Sequence, residues 1–251
     1  ATVILGVGFA QADAISKVSA EFPNTQFSII DVFWLDAPNL RQYAFKEHEG
    51  SYIVGVAAAK ASQTGKVGFV GGMDIPLIRK FACGYVGGVK SVNASAEVFQ
   101  NMTGTTPSAW NDPAKGAELT QSQIDRGADV VYQAAGGTGT GVIQAAADAG
   151  KLAIGVDSNQ NGLAPGSVLT SMLKRVDVAA YETFMDSKNG NFSAGVHVLG
   201  LAEGGVDWAL DQNNASLVTA DMKAAVDAAR NDIISGKITV HDYTSDESCP
   251  Y

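Results

Sequence analysis

The feature that most constrains the fold is a rhythm: apolar runs of strand length alternate with amphipathic stretches of helix length along most of the chain. Val3 to Val7 reads as a strand, Gln11 to Glu21 as a helix and Phe27 to Asp31 as a strand; Glu49 to Ser62 reads as a helix with Tyr52, Val56 and Ala59 on one face. The rhythm restarts at Lys66 to Gly72, a buried strand ending in glycines, followed by a helix over Ile75 to Val89. Ala96 to Met102, Asp129 to Gln133 and Leu152 to Val156 are the next predicted strands, with helices over Pro113 to Arg126 and Val142 to Ala149 between them. After Asp157 a Ser, Asn, Gln, Gly and Pro stretch up to Gly166 reads as a loop or a crossing between lobes. Strands over Val168 to Leu173 and Gly195 to Leu201 and helices over Val176 to Met185 and Ala220 to Ser235 complete the pattern. Such alternation predicts βαβ units around mainly parallel sheets, an α/β fold. No unit of 20 to 50 residues repeats, which argues against a solenoid.

At 251 residues the chain suits two lobes of ordinary size or one large α/β unit. Hydrophobic residues make up 46% and charged residues 17%, a folded rather than a disordered composition. No apolar run reaches the roughly 18 residues of a membrane span. The net charge of -9 is spread along the chain without a Lys/Arg cluster, so nucleic acid is not an expected partner. Ala1 opens directly into an apolar strand, so a signal peptide, if the protein has one, lies outside this sequence. Cys83 lies in an apolar helical stretch and Cys249 in a polar tail; two unrelated thiols, the first a small apolar filler, is the favoured reading, and a disulfide between them stays open.

In open parallel sheets ligands collect beyond the carboxyl ends of the strands. Those ends hold Gly8-Phe9, Asp31, Gly71-Gly72-Met73, Gly136-Gly137 and Asp157. Glycines admit close backbone approach and offer amide donors, and single carboxylates accept hydrogen bonds from sugar hydroxyls, so the set suits a neutral polyhydroxylated ligand. Ordinary turn chemistry accounts for glycine after a strand equally well. Trp110, in the polar loop Thr106 to Pro113, has two readings: a lid over the core, or a face on which a flat ring stacks. Trp34 is the second candidate for stacking.

Chemistry beyond binding has no visible carrier. The run Gly136-Gly137-Thr138-Gly139-Thr140-Gly141 follows a strand and precedes a helix, yet it lacks the Lys-Ser/Thr end of a phosphate loop and the glycine spacing of a dinucleotide site. His48, His197 and His241 are scattered, and no zinc spacing, Gly-x-Ser-x-Gly elbow or His-Glu-x-x-His helix occurs. No cofactor, no metal and no enzymatic activity are expected.

Several segments resemble the basic membrane protein family, the purine-nucleoside receptor group of ABC-transporter lipoproteins. The resemblance is carried by Glu49-Gly50-Ser51-Tyr52, Gly65 to Met73 with Ile75-Pro76, Arg79-Lys80-Phe81 continuing to Gly84 through Val89, Asn111 to Gly116, Gln133 to Gly139, Ile154 to Ser158, and Thr170-Ser171 with Lys174 to Asp177. It implies a type I periplasmic-binding-protein fold, two Rossmann-like lobes joined by three crossings that close on ligand by a hinge motion. Lobe 1 is expected to comprise 1–64 plus 167–190 and lobe 2 to comprise 65–160 plus 191–251. The strand Val168 to Leu173 would then return the chain to the first lobe.

Carried over by position, the resemblance places Trp110 against the purine, Asp31 at the base, and Gly136, Asp157 and Lys174 around the ribose hydroxyls; Phe9 joins them as a strand-end contact. Lys174 has a rival reading as a surface lysine. The implied function is the periplasmic or cell-surface solute-binding lipoprotein of an ABC importer, with a permease as partner and membrane contact only through a lipid anchor. Riboflavin or a monosaccharide is the alternative ligand, and a nucleoside-processing enzyme the more distant alternative. The sequence departs from the family pattern in opening at what resembles its second strand, without the preceding strand and Asp-x-Ser-Phe-Asn segment, and is expected to be part of a longer protein. Asn159 stands where an acid is common and Trp110 where phenylalanine is, so the ligand's identity stays open.

Overall fold

The computed structural model describes all 251 residues, Ala1–Tyr251. In chain order the elements are β1 (Val3–Val7), α1 (Ala12–Glu21), β2 (Gln26–Ile30), β3 (Leu40–Phe45), α2 (Glu47–Ala61), β4 (Lys66–Met73), α3 (Pro76–Val92), β5 (Glu97–Gly104) and α4 (Pro113–Asp125). They continue with β6 (Val130–Ala134), α5 (Gly139–Asp148), β7 (Leu152–Asp157), β8 (Val168–Lys174), α6 (Val176–Asn189), β9 (Gly195–Leu199), β10 (Val206–Trp208) and α7 (Ala220–Ile234). Two compact units result, Ala1–Lys46 with Arg175–Val206, and Glu47–Lys174 with Asp207–Tyr251. The chain therefore passes between units three times, after Lys46, Lys174 and Val206.

The first unit holds a parallel sheet of order β1-β2-β3-β9. α1 buries Ala12, Ile15 and Ser19 along one stripe, packing with Phe27, Ile29 and Leu40. β3 escaped the sequence reading because Arg41 and Gln42 interrupt its apolar run. Both are buried and both are satisfied: Arg41 donates to Asp186 at 2.8 Å and to the Ser193 carbonyl at 2.9 Å. Gln42 exchanges two 2.8 Å hydrogen bonds with the Leu35 backbone. A buried polar side chain is tolerated in a strand once its hydrogen bonds are made.

The second unit is built on a six-stranded sheet of order β10-β8-β7-β6-β4-β5, with parallel pairing from β5 through β8. β4, β6 and β8 are buried along nearly their whole length, as strands covered on both faces require, whereas the edge strand β5 buries little more than Phe99. α2 is almost wholly buried and packs on α3 at very short range. Glycine makes that approach possible: a Cβ on Gly88 would lie 1.9 Å from the Tyr52 carbonyl oxygen, and one on Gly84 would lie 2.3 Å from that of His48.

Three expectations are corrected. β8 belongs to the second unit, because its backbone pairs with β7 from Ala153↔Val168 to Asp157↔Leu173, and α2 belongs there because it packs on α3. Conversely, 191–206 joins the first unit, where β9 pairs with β3. Cys83 and Cys249 are not unrelated thiols; they form a disulfide across a separation of 166 residues. No helix is long and apolar enough to cross a membrane.

Gly88→Ala should gain up to about 1 kcal/mol of helix propensity but lose more to overpacking, which typically costs roughly 1–3 kcal/mol. The expected net result is a lowered urea midpoint at unchanged m-value. A midpoint at or above wild type would show that α2 and α3 can separate without loss.

Candidate functional site

β4 has β5 on one side and β6 on the other, so the second unit's sheet changes winding direction between β4 and β6. This is the switch point where the carboxyl ends of an open α/β sheet leave a crevice. Across neighbouring strands those ends are Gly72-Met73 on β4, Gly136 just past β6, Asp157 on β7 and Lys174 on β8. Three of these four positions, Gly136, Asp157 and Lys174, were expected from the sequence as ligand contacts.

Trp110 ends a single 3-10 turn, Pro107–Trp110, after β5 and comes to lie over this point. A Cβ on Gly72 would lie 2.2 Å from its ring, and one on Gly136 would lie 3.5 Å from it. The turn is pinned on both sides. The Thr138 hydroxyl donates to the Ala109 carbonyl at 2.8 Å and accepts from the Asp112 amide at 2.7 Å, and Thr103 also donates to Ala109 at 2.9 Å. Asp112 then caps α4 by accepting from the Lys115 amide. The half-buried ring thus covers the end of β4 and still keeps exposed surface.

Asp157 and Asp31 share an uncommon backbone. They have φ of 64° and 66°, and Glu247 is the one other non-glycine residue with positive φ. Left-handed geometry costs an L-residue roughly 1–2 kcal/mol, less for aspartate than for most. Such a cost persists where the surroundings over-determine it. Around Asp157 they do: Gln160 Oε1 accepts from the Val156 amide at 2.9 Å and from Gln133 Nε2 at 2.7 Å. The Gln160 amide in turn donates to Ser171 Oγ, which donates to Asn161. Asp157 is exposed, whereas Asp31, at the end of β2 in the first unit, is half-buried and its amide donates to the Tyr43 carbonyl at 2.9 Å.

Lys174 is neither a surface lysine nor a first-unit residue. Its side chain is 6% exposed and its Nζ lies 3.0 Å from Glu47 Oε1. The other oxygen of Glu47 lies 3.1 Å from Lys80 Nζ, and Lys80 also meets Asp242 at 3.4 Å. Burial pushes the Glu47 carboxyl up, but the ammonium groups of Lys174 and Lys80 outweigh it and hold Glu47 below the usual carboxylate range. Phe9 lies in the first unit, half-buried against the Ala12, Ile15 and Phe27 cluster. Trp34 is exposed beside Phe33, its ring in an edge-to-face pair at 5.3 Å.

Sequence reasoning missed Glu47, Lys80 and Asp242, although a cluster of charge at Lys46-Glu47-His48-Glu49 opening an apolar helix was a signal for the first. It also missed an open pocket of about 490 Å³ lined by Asn159, Leu173, Asp207, Trp208 and Arg230, which contains none of the expected ligand residues. No group of three or more His, Cys, Asp or Glu side chains gathers to hold a metal ion.

A crevice at such a switch point is where open α/β sheets can hold a small ligand. A family model described as ABC transporter substrate-binding protein PnrA-like (Bmp) matches residues 1–244. The chain belongs to this family. The ABC transporter nucleoside-binding protein BmpA of Lactococcus lactis subsp. cremoris is 38% identical over 256 residues, covering 95% of this chain and 70% of that protein. Basic membrane protein D of Borreliella burgdorferi is 34% identical over 218 residues, covering 84% and 63%. A crystal structure of ABC transporter solute-binding protein from Aeropyrum pernix K1 superposes with a TM-score of 0.85 at 28% identity, covering 96% of this chain and 77% of that one. The α/β two-lobed fold of Bmp-family substrate-binding proteins is thus the fold of this chain.

Replacing Glu47 by Gln removes the carboxylate that Lys174 and Lys80 both face, Lys80 keeping Asp242, and should cost roughly 3–5 kcal/mol of stability. A carboxyl held low in the folded state stabilises fully above its unfolded value, about pH 4.3, and that contribution fades as pH falls further. The gap between wild type and Glu47→Gln in denaturant titrations should therefore narrow below about pH 4.3. A gap independent of pH would mean that Glu47 is not ionised.

Proposed function

We propose that this protein is the extracytoplasmic receptor of an ABC importer, captures a purine nucleoside, and delivers it to a membrane permease without chemical change. The observation that carries the reading is Trp110, pinned over a glycine-lined switch point with the strained Asp157 two strands from β4. An aromatic face beside close-approach glycines takes a flat ring, and an exposed carboxylate takes a vicinal diol. In this reading Trp110 stacks on the base, Gly136 lets the backbone approach, and Asp157 and Lys174 serve the ribose hydroxyls. The name of the Lactococcus relative, a nucleoside-binding protein, supports the ligand class. The Cys83–Cys249 disulfide supports an oxidising compartment, the periplasm or the cell surface, where a lipid anchor would hold the protein.

Thermal-shift and calorimetric titration with purine ribonucleosides, their 2′- and 3′-deoxy analogues, ribose and riboflavin tests this. Ribonucleosides should bind most tightly. Trp110→Ala should weaken them by roughly 1–3 kcal/mol, the usual range for base stacking. Preference for riboflavin or ribose would replace the nucleoside as ligand, and an unchanged affinity would remove Trp110 from the site.

Asp157→Asn keeps a side chain that tolerates φ near 64° but removes the charge. It should erase the preference for ribo- over deoxyribonucleosides in calorimetric titration. A preference that survives would assign the hydroxyls to another group.

A further inference from the structure

The chain beyond α7 is closely fitted to α3. Cys249 is bonded to Cys83 on α3, and the Tyr251 ring lies so near Gly87 that a Cβ there would be 2.7 Å away. The segment leading to these anchors is also knitted to itself. The Tyr251 hydroxyl accepts from the His241 amide at 2.9 Å, and the His241 ring meets Asp246 and the Ser248 carbonyl, each at 3.0 Å. Asp242 caps the turn Tyr243–Ser245 by accepting from the Thr244 amide and hydroxyl. This seats the Asp242 carboxylate 3.4 Å from Lys80 Nζ and 3.8 Å from His48 Nδ1.

Charge gives that placement its meaning. Glu47 carries one negative charge and faces two ammonium groups, Lys174 at 3.0 Å and Lys80 at 3.1 Å. Asp242, a third exposed, adds a second carboxylate on the Lys80 side of this set. A carboxylate buried between two ammonium groups divides its attraction between them, and a second carboxylate beside one of them changes that division. We propose that the disulfide-held C-terminal segment is a positioning element for Lys174: Asp242 shares the charge of Lys80, so that Glu47 is left to fix the Lys174 ammonium at the end of β8. Its consequence for ligand affinity rests on the reading above, in which Lys174 serves the ribose.

The test uses the whole protein with lysines carrying 13C at Cε, the Lys174 resonance being assigned by its loss in Lys174→Met. Asp242→Asn should shift that resonance and weaken ribonucleoside binding on the order of tenfold, within the range for coupled neighbours. Asp242→Glu should restore both. Cys249→Ser, with its fold checked by near-ultraviolet circular dichroism, should act in the same direction as Asp242→Asn. In a Lys174→Met background, Asp242→Asn should have no further effect on affinity. An unmoved Lys174 resonance in both Asp242→Asn and Cys249→Ser would overturn the proposal. A resonance that moves while nucleoside affinity stays constant would uphold the positioning and remove Lys174 from the ligand site. If the wild type binds no nucleoside at all, the nucleoside reading fails by itself and the resonance alone decides the positioning.

Discussion

A fully buried glutamate placed between two lysines holds together the parts of the second unit that carry the candidate site. Glu47 is the first residue of α2, Lys80 lies on α3 and Lys174 is the last residue of β8, so three elements distant in sequence meet at one carboxylate. Withdrawing these charges from water costs several kcal/mol per ion, and that cost is recovered only with both partners in place. The pairing also lies beside two of the three passages between units, since Lys46 precedes Glu47 and Arg175 follows Lys174. Its geometry depends on the close approach of α2 and α3, which side chains at Gly84 or Gly88 would forbid.

The strand ends show a second dependence, of position on polar scaffolding. Asp157 holds an unfavourable backbone conformation because Gln133, Gln160, Ser171 and Asn161 fix the turn around it. Gly155 belongs to the same device, since a Cβ there would lie 2.7 Å from both Gln160 Oε1 and Ser171 Oγ. Trp110 is treated alike, through Thr103 and Thr138. Residues that meet a ligand gain from being held before it arrives, because ordering them at binding would subtract from affinity.

Element identity was largely legible in the sequence, because apolar periodicity reports burial and burial is what the elements compete for. The strands that escaped were those whose burial rests on polar partners or on brevity. β3 hides Arg41 behind Asp186, Ser193 and Tyr43, partners up to 152 residues away, and β10 has three residues. The strand-end logic led to Gly136 and Asp157, which do lie at neighbouring strand ends of one sheet. It could not reveal Glu47, Lys80 and Asp242 as a group, since nothing local marks charges that are neutralised across α2, α3 and the C-terminal segment.

The sequence by itself determined the α/β class, the order of most elements and the family, each written in local composition and motif spacing. Tertiary structure alone decided which unit owns α2, β8 and β9, because sheet membership is set by backbone pairing between strands far apart in the chain. It alone decided that Cys83 and Cys249 meet, and that Lys174 is a buried ion-pair partner rather than a surface residue. Local sequence specifies what a residue prefers; only packing specifies which distant group it must satisfy.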